Sequence, residues 1–320
     1  MNEFELINHF FKQPCHHSTL GIGDDAAIFA PTTGCEIHVS VDTLVEHQHF
    51  FANTSPTDLG HKALAINISD IAAMGAVPRW ALLSLTLPQV DPPWLAGFMR
   101  GFFSLAKHFN IDLIGGDTVC GPLAVTVTII GESPIGRALY RSAAKPDEDI
   151  WVSGILGLAA FSVYYQTQTN HIQKETIPTE LWAMSEDKLN RPSPRVALGQ
   201  ALRGIASACI DVSDGLLSDL SHLLNASCCG ATLWFETLPS HPFIKQDSIL
   251  QHRCLLGGGD DYELLFTAPA QHRNHIDQLS QALQLPLTRI GVLHTQRGLQ
   301  VLDQYAQPIT ITHRGFDHFA

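Results

Sequence analysis

The sequence is short of positive charge: 19 lysines and arginines face 31 aspartates and glutamates, a formal net charge of −12. Such a chain repels the phosphate backbone of a nucleic acid and the surface of an anionic membrane, so neither is expected as a partner. No run of about 18 apolar residues occurs, which predicts no transmembrane helix. The opening segment MNEFELINHFFKQ is acidic and amphipathic, without the basic start and apolar stretch of a secretory leader. The seven cysteines, at 15, 35, 120, 209, 228, 229 and 254, are odd in number and form no CxxC pair. Reduced thiols in a cytoplasmic protein are the simplest expectation, with Cys228 and Cys229 as helix-end core residues. The common nucleotide signatures are missing too. There is no Walker A motif, no Gly-Lys dipeptide, no GxGxxG after a strand and no protein-kinase set. Any phosphate must therefore be held by metals, glycine-loop amides and a few arginines, of which Arg141 is the candidate and Arg137 reads as surface charge.

With 320 residues, 45% hydrophobic and 16% charged, the chain is globular and long enough for two domains, each with its own core. The apolar periodicity predicts helices over 2–12, 56–75 and 92–109, the last two opened by prolines. Strands are predicted over 36–43, 79–88, 111–114 and 121–132, the last two flanking a glycine-rich turn. The polar segment 141–149, RSAAKPDED, marks a break. Beyond it, strands are predicted at 150–154, 207–211, 231–235, 262–268, 287–293 and 298–303. Helices are predicted near 157–168, 179–189, 194–204, 214–226 and 270–284. Both parts, 1–140 and 141–320, read as mixed α/β domains.

Aspartates gather where apolar elements meet glycine-containing turns. They are Asp24 and Asp25 in GIGDDAAIF, Asp42 in VSVDTL, Asp70 in NISDIAAMG, Asp117 in LIGGDT, Asp211 and Asp214 in IDVSDG, and Asp260 and Asp261 in GGGDDYE. One loop aspartate needs no special account, and Asp214 alone fits a helix N-cap. Asp70 is different: it interrupts an apolar helix, where an unpaired charge would cost several kcal/mol. Carboxylates converging from several elements repel one another unless a divalent cation is shared between them. Oxygen donors without converging His or Cys favour Mg²⁺ over zinc, and Mg²⁺ bridges carboxylates to phosphate oxygens. His47 and His49 share a strand-face spacing, but no third ligand for a zinc site is evident.

In this order the motifs GIGDDAAIF, VSVDTLVEHQHF, KALAINISDIAAMGAVPRW, LIGGDT, GRALYRSAAKPDE, RPSPR, DVSDGLLSDL, GGGDDYELLFT and RGFDHF resemble the thiamine-monophosphate kinase family of the aminoimidazole ribonucleotide synthetase-like superfamily, over nearly the whole chain. The resemblance implies two mixed α/β domains. The N-terminal one binds ATP and Mg²⁺ and pairs its sheet with a second copy in a homodimer; the C-terminal one completes the nucleotide and substrate site near the domain and subunit junction. It implies direct transfer of phosphate from ATP to thiamine phosphate, giving thiamine diphosphate, with several Mg²⁺ ions.

Carried over residue by residue, the resemblance puts metal binding on Asp25, Ser40, Val41 (by its carbonyl), Asp42, Asp70, Asp117, Asp211 and Asp214. ATP contact falls on Gly116, Asp117, Arg141 and Ser213, and substrate contact on His49, Asp260 and Phe316. Asp42 and Asp117 stand nearest the chemistry. No general base is expected, because the acceptor phosphate is already ionised near neutral pH. One departure stands out: where the family often has Gly-Gly-Glu-Asp-Tyr-Glu, this chain has Asp260 as the first acid, roughly 1.5 Å shorter in reach. Two other readings remain open at this point: another ATP-dependent enzyme of the superfamily, or a non-catalytic protein that binds ATP and magnesium.

Overall fold

The computed structural model describes residues 3–168, 177–313 and 315–316. The chain divides into two compact units, Met1–Ala72 with Ala76–Ala138, and Ala73–Gly75 with Leu139–Ala320.

The first unit begins with α1 (Glu3–Leu6), which runs into a π-turn over Ile7–Phe11 that buries Phe10 and Phe11. Two short strands, β1 (Ser18–Leu20) and β2 (Ile28–Phe29), pair with each other. Then follow β3 (Cys35–Val45), α2 (Pro56–Ala73), β4 (Val77–Leu87), α3 (Pro92–Phe109), β5 (Asp112–Cys120) and β6 (Ala124–Pro134). The ends of α3 follow from the sequence. The Asp91 side chain accepts the Trp94 N–H at 3.1 Å, prolines occupy the first turn, and Asn110 takes the left-handed conformation that ends the helix.

The four longer strands form one sheet in the order β3-β6-β4-β5, with β4 and β5 parallel and the other pairs antiparallel. The glycine-rich turn expected after residue 114 is instead part of β5. Gly116 pairs with Leu83, and a Cβ at Gly116 would collide with the Leu83 carbonyl, so glycine here permits close strand approach rather than a turn. Along β3, Ile37, Val39 and Val41 are exposed (39%, 63% and 57%), while Ser40 and Asp42 alternate with them on the half-buried side.

The second unit contains β7 (Asp149–Ser153), α4 (Leu158–Thr167), α5 (Thr179–Asn190), α6 (Val196–Ala201), β8 (Ala208–Asp211), α7 (Leu216–Ser227), β9 (Gly230–Trp234), α8 (Pro242–Gln246), α9 (Ser248–Leu250), β10 (Leu264–Ala268), α10 (Arg273–Leu283), β11 (Leu287–His294) and β12 (Gly298–Leu302). The six strands lie in the order β12-β9-β11-β7-β10-β8, antiparallel except for β12 beside β9. Helical turns over 242–256 were not expected from the sequence; they present Ile244, Leu250, Cys254, Leu255 and Leu256 to the core. All seven cysteines are free. Cys229 is buried, but Cys228 is the exposed left-handed cap of α7 and not the core residue expected. Among the described residues, no helix is long and apolar enough to cross a membrane.

Glu263 anchors this unit. Fully buried, it accepts hydrogen bonds from Ser153 Oγ (2.5 Å), Lys188 Nζ (2.5 Å) and Arg195 Nε and Nη2 (2.7 and 2.6 Å). Burial raises its pKa, but the charges and hydrogen bonds of Lys188 and Arg195 outweigh that and hold it below the ordinary 4.5. A group so depressed stabilises the fold fully above its unfolded pKa, and that contribution is lost as pH falls through the folded value. Glu263→Gln is expected to cost about 3–5 kcal/mol at neutral pH by leaving two cations uncompensated. Urea unfolding should record that difference at pH 7 and a narrowing gap between variant and wild type below pH 4.5.

Candidate functional site

In the first unit, the polar face of β3 is tied to α2. Ser40 Oγ donates to Asp70 Oδ2 at 2.5 Å, and the Asp42 N–H donates to Asn67 Oδ1 at 3.1 Å. Asn67 is fixed in turn by donating from Nδ2 to the Ala63 carbonyl. Asp70 is half-buried and hydroxyl-bonded, which answers the cost that its helical position raised. Strand register puts Asp42, Val127, Leu83 and Gly116 in one row. Asp117 falls in the adjacent row with Ser84, Thr126 and Thr43, which by alternation presents the opposite, more exposed face. The Asp117 side chain accepts its neighbour Thr118 N–H at 2.9 Å, and Asp24 does the same for Asp25.

His49 has a defined tautomer. Its Nδ1 accepts the Val45 N–H at 3.0 Å, so the ring proton of the neutral form lies on Nε2. Its carbonyl accepts from the buried Lys62 ammonium at 3.3 Å. The segment leading to Asp24 and Asp25 is held by Asp112 at the start of β5. This buried carboxylate accepts the His16 N–H (2.8 and 2.9 Å), the His17 N–H (2.6 Å) and Ser18 Oγ (3.2 Å).

In the second unit, three segments meet. Asp211 ends β8, buried opposite Leu264. Asp214 is not the helix cap that its sequence position allowed. The cap position of α7 is Gly215, and the amides before the helix are taken by Asp219. The next segment, 257–262, lies against this loop: the Asp260 N–H donates to the Ser213 carbonyl at 2.8 Å, and Tyr262 N–H to Val212 at 2.8 Å. Asp260 and Tyr262 both have positive φ (65° and 48°), and the Tyr262 hydroxyl donates to Asp260 Oδ1 at 3.0 Å. The third segment is the tail. The Phe316 N–H donates to the Asp214 carbonyl at 3.0 Å, and the residue is 48% exposed. Arg314 and 317–319 of the RGFDHF motif lie outside the described residues. Arg141 is exposed, and its carbonyl accepts from Ser227 Oγ.

Sequence reasoning missed Asp112 and Asp219, which hold these segments, and named Asp261 only as one of the converging aspartates. Asp261 is instead fully buried and accepts the Gly157 N–H with both oxygens at 2.9 and 3.0 Å. Burial, together with Glu263 and Asp260, raises the Asp261 pKa well above the ordinary carboxylate value. Burial and Asp214 push Asp219 up to about 7, against the pull of its amide donors. Among the described residues, no three His, Cys, Asp or Glu side chains cluster closely enough to hold a metal ion by themselves. The proposed ligands come forward singly and in pairs.

Comparison with known proteins fits this architecture. Residues 23–133 match the AIR synthase related protein, N-terminal domain. The chain is 42% identical to a thiamine-monophosphate kinase of Salmonella typhimurium, over 99% of this chain and 98% of that one. It belongs to the thiamine-monophosphate kinase family. A crystal structure of the thiamine-monophosphate kinase from Stenotrophomonas maltophilia K279a is 43% identical, with a TM-score of 0.82 over 89% of this chain and 90% of that one. AaThiL, solved in complex with AMPPCP and TMP, is 26% identical, with a TM-score of 0.75 over 93% and 92% of the two chains. The mixed α/β architecture of this chain is thus that of the kinase family.

Within that fold, Gly116 is the one glycine among the candidate residues, and a Cβ there would lie 1.8 Å from the Leu83 carbonyl oxygen. Gly116→Ala is expected to lose about 1–3 kcal/mol of stability, because β4 and β5 must part to admit the methyl group. Thermal unfolding should register the loss; Gly136→Ala, at φ 71° with open space at its Cβ, carries backbone strain alone and so separates that strain from the clash at Gly116.

Proposed function

We propose that this chain transfers the γ-phosphate of ATP to thiamine monophosphate, giving thiamine diphosphate and ADP by direct in-line displacement. The observation that carries the reading is 42% identity to a thiamine-monophosphate kinase along 99% of the chain. The AMPPCP and TMP bound by AaThiL support the same pair of substrates.

The donor set suits Mg²⁺. It consists of carboxylates, the Ser40 hydroxyl and the Val41 carbonyl, all hard oxygens. Mg²⁺ takes one or two carboxylates with waters and substrate phosphates rather than an all-protein cage, so ligands presented singly and in pairs are what it requires. On this reading Asp25, Ser40, Val41, Asp42, Asp70, Asp117, Asp211 and Asp214 would hold several Mg²⁺ ions. When bound, these neutralise the phosphate charge and stabilise the in-line transition state.

The chain's own groups then divide the remaining work. In the first unit, Gly116 lets the backbone approach ATP, and the His49 Nε2–H donates to the substrate phosphate. In the second unit, Arg141 and Ser213 contact ATP phosphates. The exposed ring of Phe316 offers a face to the thiazolium cation, which gains cation–π attraction there. Asp260, one methylene short, reaches the aminopyrimidine through a water. No side chain needs to remove a proton from an acceptor that is already ionised. The exposed apolar residues of β3, Ile37, Val39 and Val41, support pairing of the first unit's sheet with that of a second copy. The seven free thiols support a cytoplasmic location.

Incubation with ATP, Mg²⁺ and thiamine monophosphate, followed by chromatography, should yield thiamine diphosphate, and a chelator should abolish it. Asp42→Asn and Asp117→Asn should each lower turnover by about 100-fold or more with folding retained. ATP binding by calorimetry without ADP formation would instead favour a non-catalytic protein. For assembly, Val39→Lys should shift sedimentation from dimer to monomer; an unchanged dimer would remove β3 from the interface.

A further inference from the structure

The loop that carries Ser213 and Asp214 hangs on one side chain. Asp219 lies within the first turns of α7 and is 3% exposed. A single oxygen of it, Oδ2, accepts the N–H groups of Ser213, Asp214 and Gly215 at 3.0, 3.0 and 3.1 Å. The carbonyls of the same loop are used in turn. Ser213 accepts the Asp260 N–H at 2.8 Å and Asp214 accepts the Phe316 N–H at 3.0 Å. Gly215, at φ 118°, completes the fit, since a Cβ there would come within 2.9 Å of the Gly257 carbonyl. One carboxylate thus sets the loop, and the loop sets two further residues from distant parts of the sequence.

We propose that Asp219 is a positioning residue for both substrates at once: it fixes Ser213 and Asp214 on the nucleotide and metal side and, through their two carbonyls, Asp260 and Phe316 on the thiamine side. The inference rests on the kinase reading above. Its physical basis is the geometry at Oδ2, one buried oxygen on which three N–H donors converge. An asparagine oxygen is a weaker acceptor for three converging donors, and its N–H₂ group takes the buried place of Oδ1, so the hold on the loop weakens while the buried apolar contacts stay. The side chain is argued to touch neither substrate, and its effect passes only through the loop.

The test compares Asp219→Asn with wild type and with Asp149→Asn. The latter is a buried carboxylate of the same unit, held by Arg273 and Arg289 and not hydrogen-bonded to the loop. Steady-state kinetics with Mg-ATP and thiamine monophosphate, each varied in turn, and thermal unfolding are recorded for all three. Absence of thiamine diphosphate formation by wild type would fail the kinase reading itself. Given wild-type activity, Asp219→Asn is expected to raise KM for both substrates together by roughly tenfold or more. Asp149→Asn should lower Tm and leave both KM values unchanged. If Asp219→Asn lowers Tm but leaves both KM values within about twofold of wild type, the residue is merely structural and the proposal is overturned. A rise in only one KM overturns the joint positioning of the two substrates. Should Asp219→Asn fail to fold, Asp219→Glu, whose carboxylate stands one methylene further out and no longer meets the three amides from the same place, is read in the same way. Failure of both to fold would also overturn the proposal, since Asp219 would then be a requirement of the fold.

Discussion

A buried carboxylate that collects backbone N–H groups is the constraint on which the candidate site depends. Asp112 gathers the amides of His16 and His17, Asp219 those of Ser213 to Gly215, and Asp261 that of Gly157. A buried carboxylate without partners is expensive, on the order of several kcal/mol. A loop held in this way cannot drift without leaving a buried polar group unpaired, so the buried carboxyl acts as a restraint on backbone position. The acids that face outward are then spared the work of holding the chain.

This division explains what could be read in the sequence and what could not. The limits of α3 were legible because Asp91, the two prolines and Asn110 are local signals whose physics is complete within a few residues. The strands of the second unit were legible from their continuous apolar runs. The Gly115-Gly116-Asp117 segment was not, because a glycine that allows a neighbouring strand to approach is spelled like a glycine that turns the chain. The helical turns over 242–256 were missed for a related reason: they are short and broken by His241 and Asp247, whose capping roles emerge only in three dimensions.

The site was legible to a similar depth. The motifs name acids but not their roles. Asp260 and Asp261 are neighbours, yet one holds a positive φ at the loop surface and the other is buried on the α4 amide. Asp214 and Asp219 are equally alike in composition, and the local rule for N-caps pointed to the wrong one. Only the count of amide donors aimed at each oxygen separates them, and that count depends on the fold. A weak signal was nonetheless present. Asp219 and Asn67 each lie on a helix among apolar residues, where a polar side chain requires a partner, as Asp70 also did.

Net charge poses the last physical question. A carboxylate and a phosphate oxygen 4 Å apart repel by about 1 kcal/mol in water and about 4 kcal/mol near a protein surface. Several such pairs around a triphosphate and a second phosphate would sum to a barrier that the few candidate arginines could not cancel. On the kinase reading, a divalent ion between carboxylate and phosphate reverses the sign of every one of these terms. The arrangement of the acids follows from the same arithmetic. A tight cluster of unpaired carboxylates would strain the folded chain before any ligand arrived, whereas the proposed ligands, spaced as Ser40 with Asp70, Asp42 beside Asn67, and Asp117 in the next row, keep that repulsion small. The substrate phosphates then bring the missing oxygens with them. On the same reading an acidic surface is compatible with two anionic substrates, and their binding becomes conditional on the metal.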